Sequence, residues 1–176
     1  MPKVLFINIP NLEPLSLDDS DKDGLTFWKE LIYVGDFQKG KQQIPVDEPL
    51  LHHWSNTNAK MLSNGVEIPL PSEHTTEVEK CRGKVIGMKV APNRRNIPAL
   101  FGKVKFKDKA TAELAKTANV SINTEPELKD GLGNEYFYPI THVALTDYPV
   151  IPALGKFEPI AASLIEQGKN TMALDP

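Results

Sequence analysis

A serine and a histidine in the segment 117–149 have the side chains that nucleophilic catalysis requires. A serine such as Ser121 becomes a strong nucleophile only when a neighbouring base takes its proton, and a third group must orient that base. His142 lies in a run that alternates apolar and small polar residues. The two residues indicate serine-dependent chemistry if the fold brings them together, and otherwise they are ordinary strand residues.

The spacing of these two residues predicts a β-hairpin. Their midpoint falls between Gly131 and Leu132, inside the turn sequence KDGLGN. Residues directly opposite each other on antiparallel strands have Cβ atoms about 4.5–5.5 Å apart. Alternation places these residues on one face, which we interpret as the polar outer face: Asn119, Ser121, Asn123, Ile140, His142, Ala144 and Thr146. A slip of one residue would reverse the face.

His74 is the candidate general base. It follows the short strand VEIPLP, whose prolines make the approach to His74 rigid. A histidine has an ordinary pKa near neutrality, which suits acid–base catalysis. A hydrogen-bonded surface histidine is the alternative interpretation. His52 and His53 are neighbours on a predicted helix and face different directions, so we interpret them as surface or packing residues.

Fifteen prolines and 11 glycines divide the chain into short elements. The patterns predict an irregular segment 1–24, a bent strand 25–37, a helix from Asp47 to Asn64-Gly65, strands 66–71, 83–92 and 99–106, a helix within 107–118, the two strands of the hairpin, and a helix from Pro159 to Gly168. We therefore expect an α+β fold, mainly antiparallel β, with a barrel-like sheet flanked by a few helices. The expected domain spans 25–168, and 169–176 form a tail.

Composition excludes several function classes. The chain of 176 residues fits one domain, and its formal net charge of −3 argues against binding to nucleic acid backbones. A single cysteine, Cys81, excludes an internal disulfide and a multi-cysteine metal site. We expect no secretion signal, no membrane span and no cofactor, and a cytoplasmic location.

An acidic stretch matches a calcium-loop pattern. The pattern D-x-D-x-D-G-x5-E falls on Asp19, Asp21, Asp23, Gly24 and Glu30. Carboxylate oxygens are ligands that Ca²⁺ prefers. However, Pro10 and Pro14 prevent a regular entering helix, and the pattern occurs once. We interpret the stretch as an acidic loop before a strand, and a calcium-binding β module is the alternative.

Three segments resemble the phage prohead proteases of the Mu-like branch, which share a fold with the herpesvirus assembly protease, assemblin. The segments are NGVEIPLPSEH, ANVSINTEPE and YPITHVALTDYPVIPALGKFEPIAAS. The order histidine, serine, histidine is similar to the Ser-His-His triad of the herpesvirus enzymes, as is the gap of 21 positions between Ser121 and His142. The likeness covers about residues 25–165, and it implies the herpesvirus-protease-like fold.

This resemblance implies a serine endopeptidase that works through an acyl-enzyme. Ser121 would be the nucleophile, His74 its general base and His142 the orienting third member, with Asp147 as a fallback on the opposite face of the strand. The herpesvirus relatives place an arginine-containing loop after the third member, but the stretch VALTDYPVIPALGKF that follows His142 has no arginine. Arg94 and Arg95 lie in a different loop, so the oxyanion donors stay unassigned.

The resemblance also implies partners and a location. The substrates would be the scaffold protein and the precursor of the major capsid protein, in the host cytoplasm inside the procapsid. Whether the chain acts as a homodimer stays open. The alternative function is a non-enzymatic capsid-assembly or scaffold module on the same fold. Convergence of Ser121, His74 and His142 in space would favour the enzyme.

Overall fold

The computed structural model describes residues 23–160, which are mostly antiparallel β-structure with two α-helices. The helices are α1 (Glu48–Ser63) and α2 (Lys109–Ala115). The strands are β1 (Thr26–Tyr33), β2 (Gly35–Lys39), β3 (Gln42–Val46), β4 (Ile68–Pro71), β5 (Cys81–Pro92), β6 (Pro98–Phe106), β7 (Asn119–Thr124), β8 (Glu127–Lys129), β9 (Glu135–Phe137), β10 (Ile140–Thr146) and β11 (Glu158–Pro159). This is the α+β, mainly antiparallel class that the sequence predicts. Neither helix of this region is long and apolar enough to cross a membrane.

One five-stranded sheet organises the fold, in the order β11-β1-β6-β5-β4. A parallel bridge between Ser72 and Leu145 joins the β7–β10 ladder to the end of β4. Strand β7 also approaches β1, which lies towards the opposite end of the sheet from β4, with Cα atoms of the two strands within 8 Å of each other. Hydrogen bonds between the described strands do not close the sheet, so the expected barrel is not found as a closed barrel.

Two predicted elements differ from the structure. The strand expected over 25–37 ends at Tyr33, and residues 35–46 form a separate β2–β3 hairpin. Its two-residue loop begins at Gly40, whose φ of 61° suits glycine at the first position of such loops. The helix expected from Pro159 starts one residue later, because Pro159 ends the short strand β11 and Ile160 is the first helical residue. Its expected continuation over 161–168 lies outside the described residues, as does most of the segment 1–24.

Helix α1 confirms the predicted caps. Asp47 accepts a hydrogen bond from the Leu50 backbone N–H at 2.9 Å, and Gly65 follows the helix with a φ of 80°. The helix buries one face, formed by Leu51, Trp54, Asn58 and Met61. This spacing of three to four residues is that of an amphipathic helix packed on a core.

Three side chains of α1 hold the chain that leads into β10. His53 Nε2 lies 2.7 Å from the Phe137 carbonyl oxygen, and Trp54 Nε1 donates to the Tyr138 carbonyl at 3.1 Å. Asn58, which is fully buried, donates to the Ile140 carbonyl at 2.6 Å and accepts from the Ile140 N–H at 3.2 Å. Both backbone groups of Ile140 are therefore satisfied by one side chain, which fixes where β10 begins.

A strap, residues 147–157, returns from β10 and is fastened to β1. Glu30 accepts hydrogen bonds from the Gly155 N–H and from Asn93 Nδ2, both at 2.9 Å. Lys29 Nζ donates to the Gly155 carbonyl, and Tyr33 donates to the Pro152 carbonyl at 2.9 Å. Glu30, the last ligand of the calcium-loop pattern, is thus buried and already bonded to protein donors.

Burial lowers the pKa of Lys29 to about 8, and the neighbouring Glu30 opposes this shift only in part. In the unfolded chain this lysine has its ordinary pKa of 10.5, so the unfolded state binds more protons between these two pH values. We expect the free energy of unfolding of the wild type to rise, relative to that of Lys29→Met, as the pH goes from about 8 to about 10.5. Denaturant unfolding across this range measures the difference, and parallel curves for the two proteins would contradict it.

Candidate active site

The serine and one histidine of the candidate site lie on the predicted hairpin. Strands β7 and β10 pair antiparallel, and β8 and β9 continue the same hairpin towards its tip near Gly131. The register differs from the predicted one, because Ser121 lies opposite Ala144 and His142 lies opposite Asn123. A shift of two residues preserves the face, so Ser121 and His142 are diagonal neighbours, a relation that separates residues by about 7–8 Å.

The shift of two residues has two sources. The β8–β9 pairs centre on Leu132, which moves the register by one residue, and a β-bulge between Ile140 and His142 adds the second. Because of the bulge, Ile140 lies opposite Thr124, on the face away from His142, so the prediction that Ile140 and His142 share a face is wrong. Ala144 is fully buried and Thr146 nearly so. The face predicted to be the polar outer face is therefore partly exposed at Ser121 and His142 but buried further along β10.

His74 reaches β10 through the backbone of the two residues before it. Ser72 forms the parallel bridge to Leu145, and the Glu73 N–H donates to the Leu145 carbonyl at 2.8 Å. Glu73 has a φ of 60°, which is uncommon for a residue with a side chain and turns the chain sharply. Its carboxylate accepts a hydrogen bond from Thr146 Oγ1 at 3.4 Å. His74 is therefore directed to β10 by a tethered turn.

The two histidines form a direct hydrogen bond. His74 Nδ1 lies 2.8 Å from His142 Nε2, across 68 residues of sequence, and the ring centroids are 5.1 Å apart. A neutral histidine has one N–H donor and one acceptor nitrogen, so one ring donates to the other. This bond uses Nδ1 of His74, and within residues 23–160 His74 Nε2 has no hydrogen-bond partner.

Ser121 is half-buried beside this pair, on the wall of a cleft of about 320 Å³. Its hydroxyl makes no hydrogen bond to any residue in 23–160, including His74 and His142. The structure thus joins the two histidines and places the serine diagonally across from His142. Asp147, the fallback third member, is exposed beyond the end of β10 and makes no hydrogen bond to His74. His142 holds the position next to His74.

The surroundings of both rings favour the neutral form. The pKa of His74 is lowered by burial and next by the positive charge of Lys39, while Glu73 opposes the shift. The pKa of His142 is lowered by burial and next by His74, while Glu125 opposes the shift. A neutral imidazole has a free lone pair, so His74 can accept a proton near neutral pH.

Lys39 and Glu73 belong to the site and were missed by the sequence reasoning. The turn sequence QKGKQ around Gly40 was a usable signal for the hairpin that carries Lys39. The positive φ of Glu73 has no sequence signal, since glutamate seldom adopts it.

The two arginines considered for the site are engaged elsewhere. Arg94 pairs with Glu158 at 2.7 Å, and the Arg95 guanidinium lies 4.5 Å from the centroid of the Tyr33 ring. Both contacts hold the loop between β5 and β6 to its neighbours. The oxyanion donors of the candidate site are therefore not assigned to these two residues.

Removing the charge of Lys39 should raise the pKa of His74. Lys39→Met eliminates a positive charge that disfavours the imidazolium, so His74 should become protonated at higher pH than in the wild type. Histidine Cε1–H resonances followed by NMR against pH measure this, with His74→Ala used for assignment. Lys41→Met on the same hairpin should leave the His74 titration unchanged. An unaltered pKa in Lys39→Met would show that the hairpin tip does not act on the ring.

Comparisons of this chain with protein-family models, with curated proteins and with solved structures found no significant match.

Proposed function

We propose that this protein is a serine endopeptidase of phage capsid maturation, with a Ser121-His74-His142 triad. The observation that carries the proposal is the 2.8 Å hydrogen bond between His74 Nδ1 and His142 Nε2. In a serine triad, the base contacts its orienting partner through Nδ1 and the serine through Nε2. His74 already has this arrangement, because its Nδ1 is bonded and its Nε2 remains available.

The proton positions follow from these roles. His74 carries its proton on Nδ1 and donates it to His142 Nε2, so His142 carries its own proton on Nδ1. His74 Nε2 then has the lone pair that takes the Ser121 proton. Substrate binding has to tighten the contact between Ser121 and His74, as catalytic hydrogen bonds in unliganded enzymes are often long.

Catalysis then proceeds in two stages. Ser121 Oγ attacks the peptide carbonyl carbon while His74 Nε2 takes its proton, and a tetrahedral oxyanion forms. The oxyanion collapses, the C–N bond breaks, and the imidazolium of His74 gives the proton to the departing amine. Water, deprotonated by His74, attacks the acyl-enzyme and releases Ser121 and the second product. His142 stabilises the imidazolium less than a carboxylate would, so we expect a slow enzyme.

A slow enzyme suits the proposed role. Scaffold protein and capsid-protein precursor are present at very high local concentration inside a procapsid, and each molecule needs to be cut once. The herpesvirus-protease-like fold is part of the same proposal. It is supported by the approach of β7 to β1 and by the Ser72–Leu145 bridge, which continue the five-stranded sheet towards a barrel.

One observation favours the alternative function, a non-enzymatic capsid-assembly module on the same fold. Within residues 23–160, the hydroxyl of Ser121 is not hydrogen-bonded to either histidine. A module that had lost activity could keep the histidine pair as a structural contact. Measurements of serine reactivity separate the two functions.

Ser121→Ala should abolish processing of the cognate scaffold protein, since no other group replaces the attacking oxygen. Co-expression with the scaffold, followed by mass spectrometry of the products, measures this. Ser63→Ala is the matched control, because Ser63 is exposed at the end of α1 and its hydroxyl bonds only the Lys60 carbonyl. A fluorophosphonate probe should label the wild type and Ser63→Ala but not Ser121→Ala. Equal processing in wild type and Ser121→Ala would refute the protease assignment.

The two histidines should contribute unequally. His74→Ala removes the general base and should slow fluorophosphonate labelling of Ser121 by about 10²–10⁴-fold. His142→Ala removes only orientation and charge stabilisation, so its effect should be smaller. His52→Ala, an exposed helix position, is the control. The labelling rate of the wild type should rise with pH as His74 loses its proton. The midpoint of this rise should lie at lower pH in the wild type than in Lys39→Met. A larger loss in His142→Ala than in His74→Ala would reverse the two roles.

A further inference from the structure

The cleft beside Ser121 runs along an edge of β7. Residues from both faces of this strand line it, including Ser121, Ile122 and Asn123. Since side chains alternate between faces, only a cleft along the strand edge can contact both sets. Among the described strands β7 pairs with β10 alone, so the cleft lies along its other edge. A peptide bond presented to Ser121 would therefore have this cleft beside it.

The floor of the cleft is apolar and buried. Trp54 is 1% exposed and Ile32 is 2% exposed, and Ile151 of the strap closes one side. The Tyr138 ring packs on Trp54 with centroids 5.8 Å apart. The volume of about 320 Å³ is at the lower end of the range for ligand pockets and accommodates about two side chains.

The rim of the cleft is polar and carries one charge. Lys39, Gln42 and Gln43 of the β2–β3 hairpin line it and are exposed. Lys39 is the one ionised side chain among the described residues of the lining. It makes no ion pair within residues 23–160. An anionic group at the rim could pair with Lys39, because no carboxylate among the described lining residues competes for this cation.

We propose that this cleft binds the substrate peptide through an apolar side chain placed over Trp54 and an acidic side chain placed against Lys39. The inference rests on the proposed function for the identity of the ligand as a peptide that is cut at Ser121. It adds the substrate class, a peptide with adjacent apolar and acidic side chains near the scissile bond. Lys39 is then a specificity-determining residue, and Trp54 forms the floor that excludes water from the peptide.

The position of Lys39 gives it a second effect in the same complex. Its charge disfavours the imidazolium of His74. An acidic substrate side chain paired with Lys39 offsets that charge while the imidazolium forms. Acidic substrates are thus favoured both in binding and in proton transfer.

The test uses binding in a chain that cannot cut. Immobilised full-length Ser121→Ala is exposed to capped octapeptides randomised over Leu, Ala, Glu, Gln and Lys, and the retained peptides are sequenced by mass spectrometry. Peptides with a Leu-Glu pair should be enriched about fivefold over their Leu-Gln counterparts, the scale of one exposed ion pair. In Ser121→Ala/Lys39→Glu the preference should change to Leu-Lys. Ser121→Ala/Lys41→Glu, with the same charge change on the same hairpin, should retain the preference for Glu.

A fluorescence titration locates the bound peptide. The chain has two tryptophans, and in Ser121→Ala/Trp28→Phe the emission of Trp54 should shift when a retained peptide is added. Enrichment that is equal in Lys39→Glu and Lys41→Glu, no enrichment at all, or an unchanged Trp54 emission would each overturn the proposal. Charge-dependent binding without cleavage by the wild type would refute the protease function but support peptide binding in the cleft. Cleavage by the wild type without charge preference would refute the proposed binding in the cleft but support the protease function.

Discussion

The candidate site depends on a short stretch of backbone, the contact of Ser72 and Glu73 with Leu145. Through this contact His74, which follows β4, meets a strand that begins 66 positions later in the sequence. A single backbone hydrogen bond stabilises a fold by only about 0.5–1.5 kcal/mol net. Here it also determines geometry, because the positive φ of Glu73 turns the next side chain towards His142. The contact between His74 and His142 therefore depends on that turn.

Local signals in the sequence were enough for the elements and not for their contacts. The caps of α1 and the turn near Gly131 involve residues a few positions apart, so their patterns predicted the helix and the hairpin. The register of the hairpin depends on the turn centre at Leu132 and on the bulge before His142, and Asn58 of a distant helix fixes the start of that strand. The contact of His74 with His142 follows from the bridge at Leu145, which has no local pattern. The resemblance, rather than periodicity, grouped these two histidines.

The strap and the site are linked through the cleft. Lys29 and Glu30 bind the carbonyl and the N–H of Gly155, so both backbone groups of one residue are held by neighbouring side chains of β1. Adjacent side chains on a strand point to opposite faces, and this loop lies at the edge where both can reach it. The same strap supplies Val150 and Ile151 to the cleft beside Ser121. A buried polar pair therefore shapes a wall of the cleft without lining it.

The two hydrogen bonds between Asn58 and the backbone of Ile140 affect the order in which the chain folds. The bonded groups are 82 residues apart, so this contact closes a longer loop than the contacts within α1 or between the neighbouring strands β5 and β6, and non-local contacts of this kind tend to form more slowly. We expect α1 and the β5–β6 pair to gain protection from hydrogen exchange early in refolding, and β10 to gain it late. A chain released from the ribosome would then pass through a stage that has most of its core and no histidine pair. Such a delay would leave the candidate site incomplete until the last strands are in place.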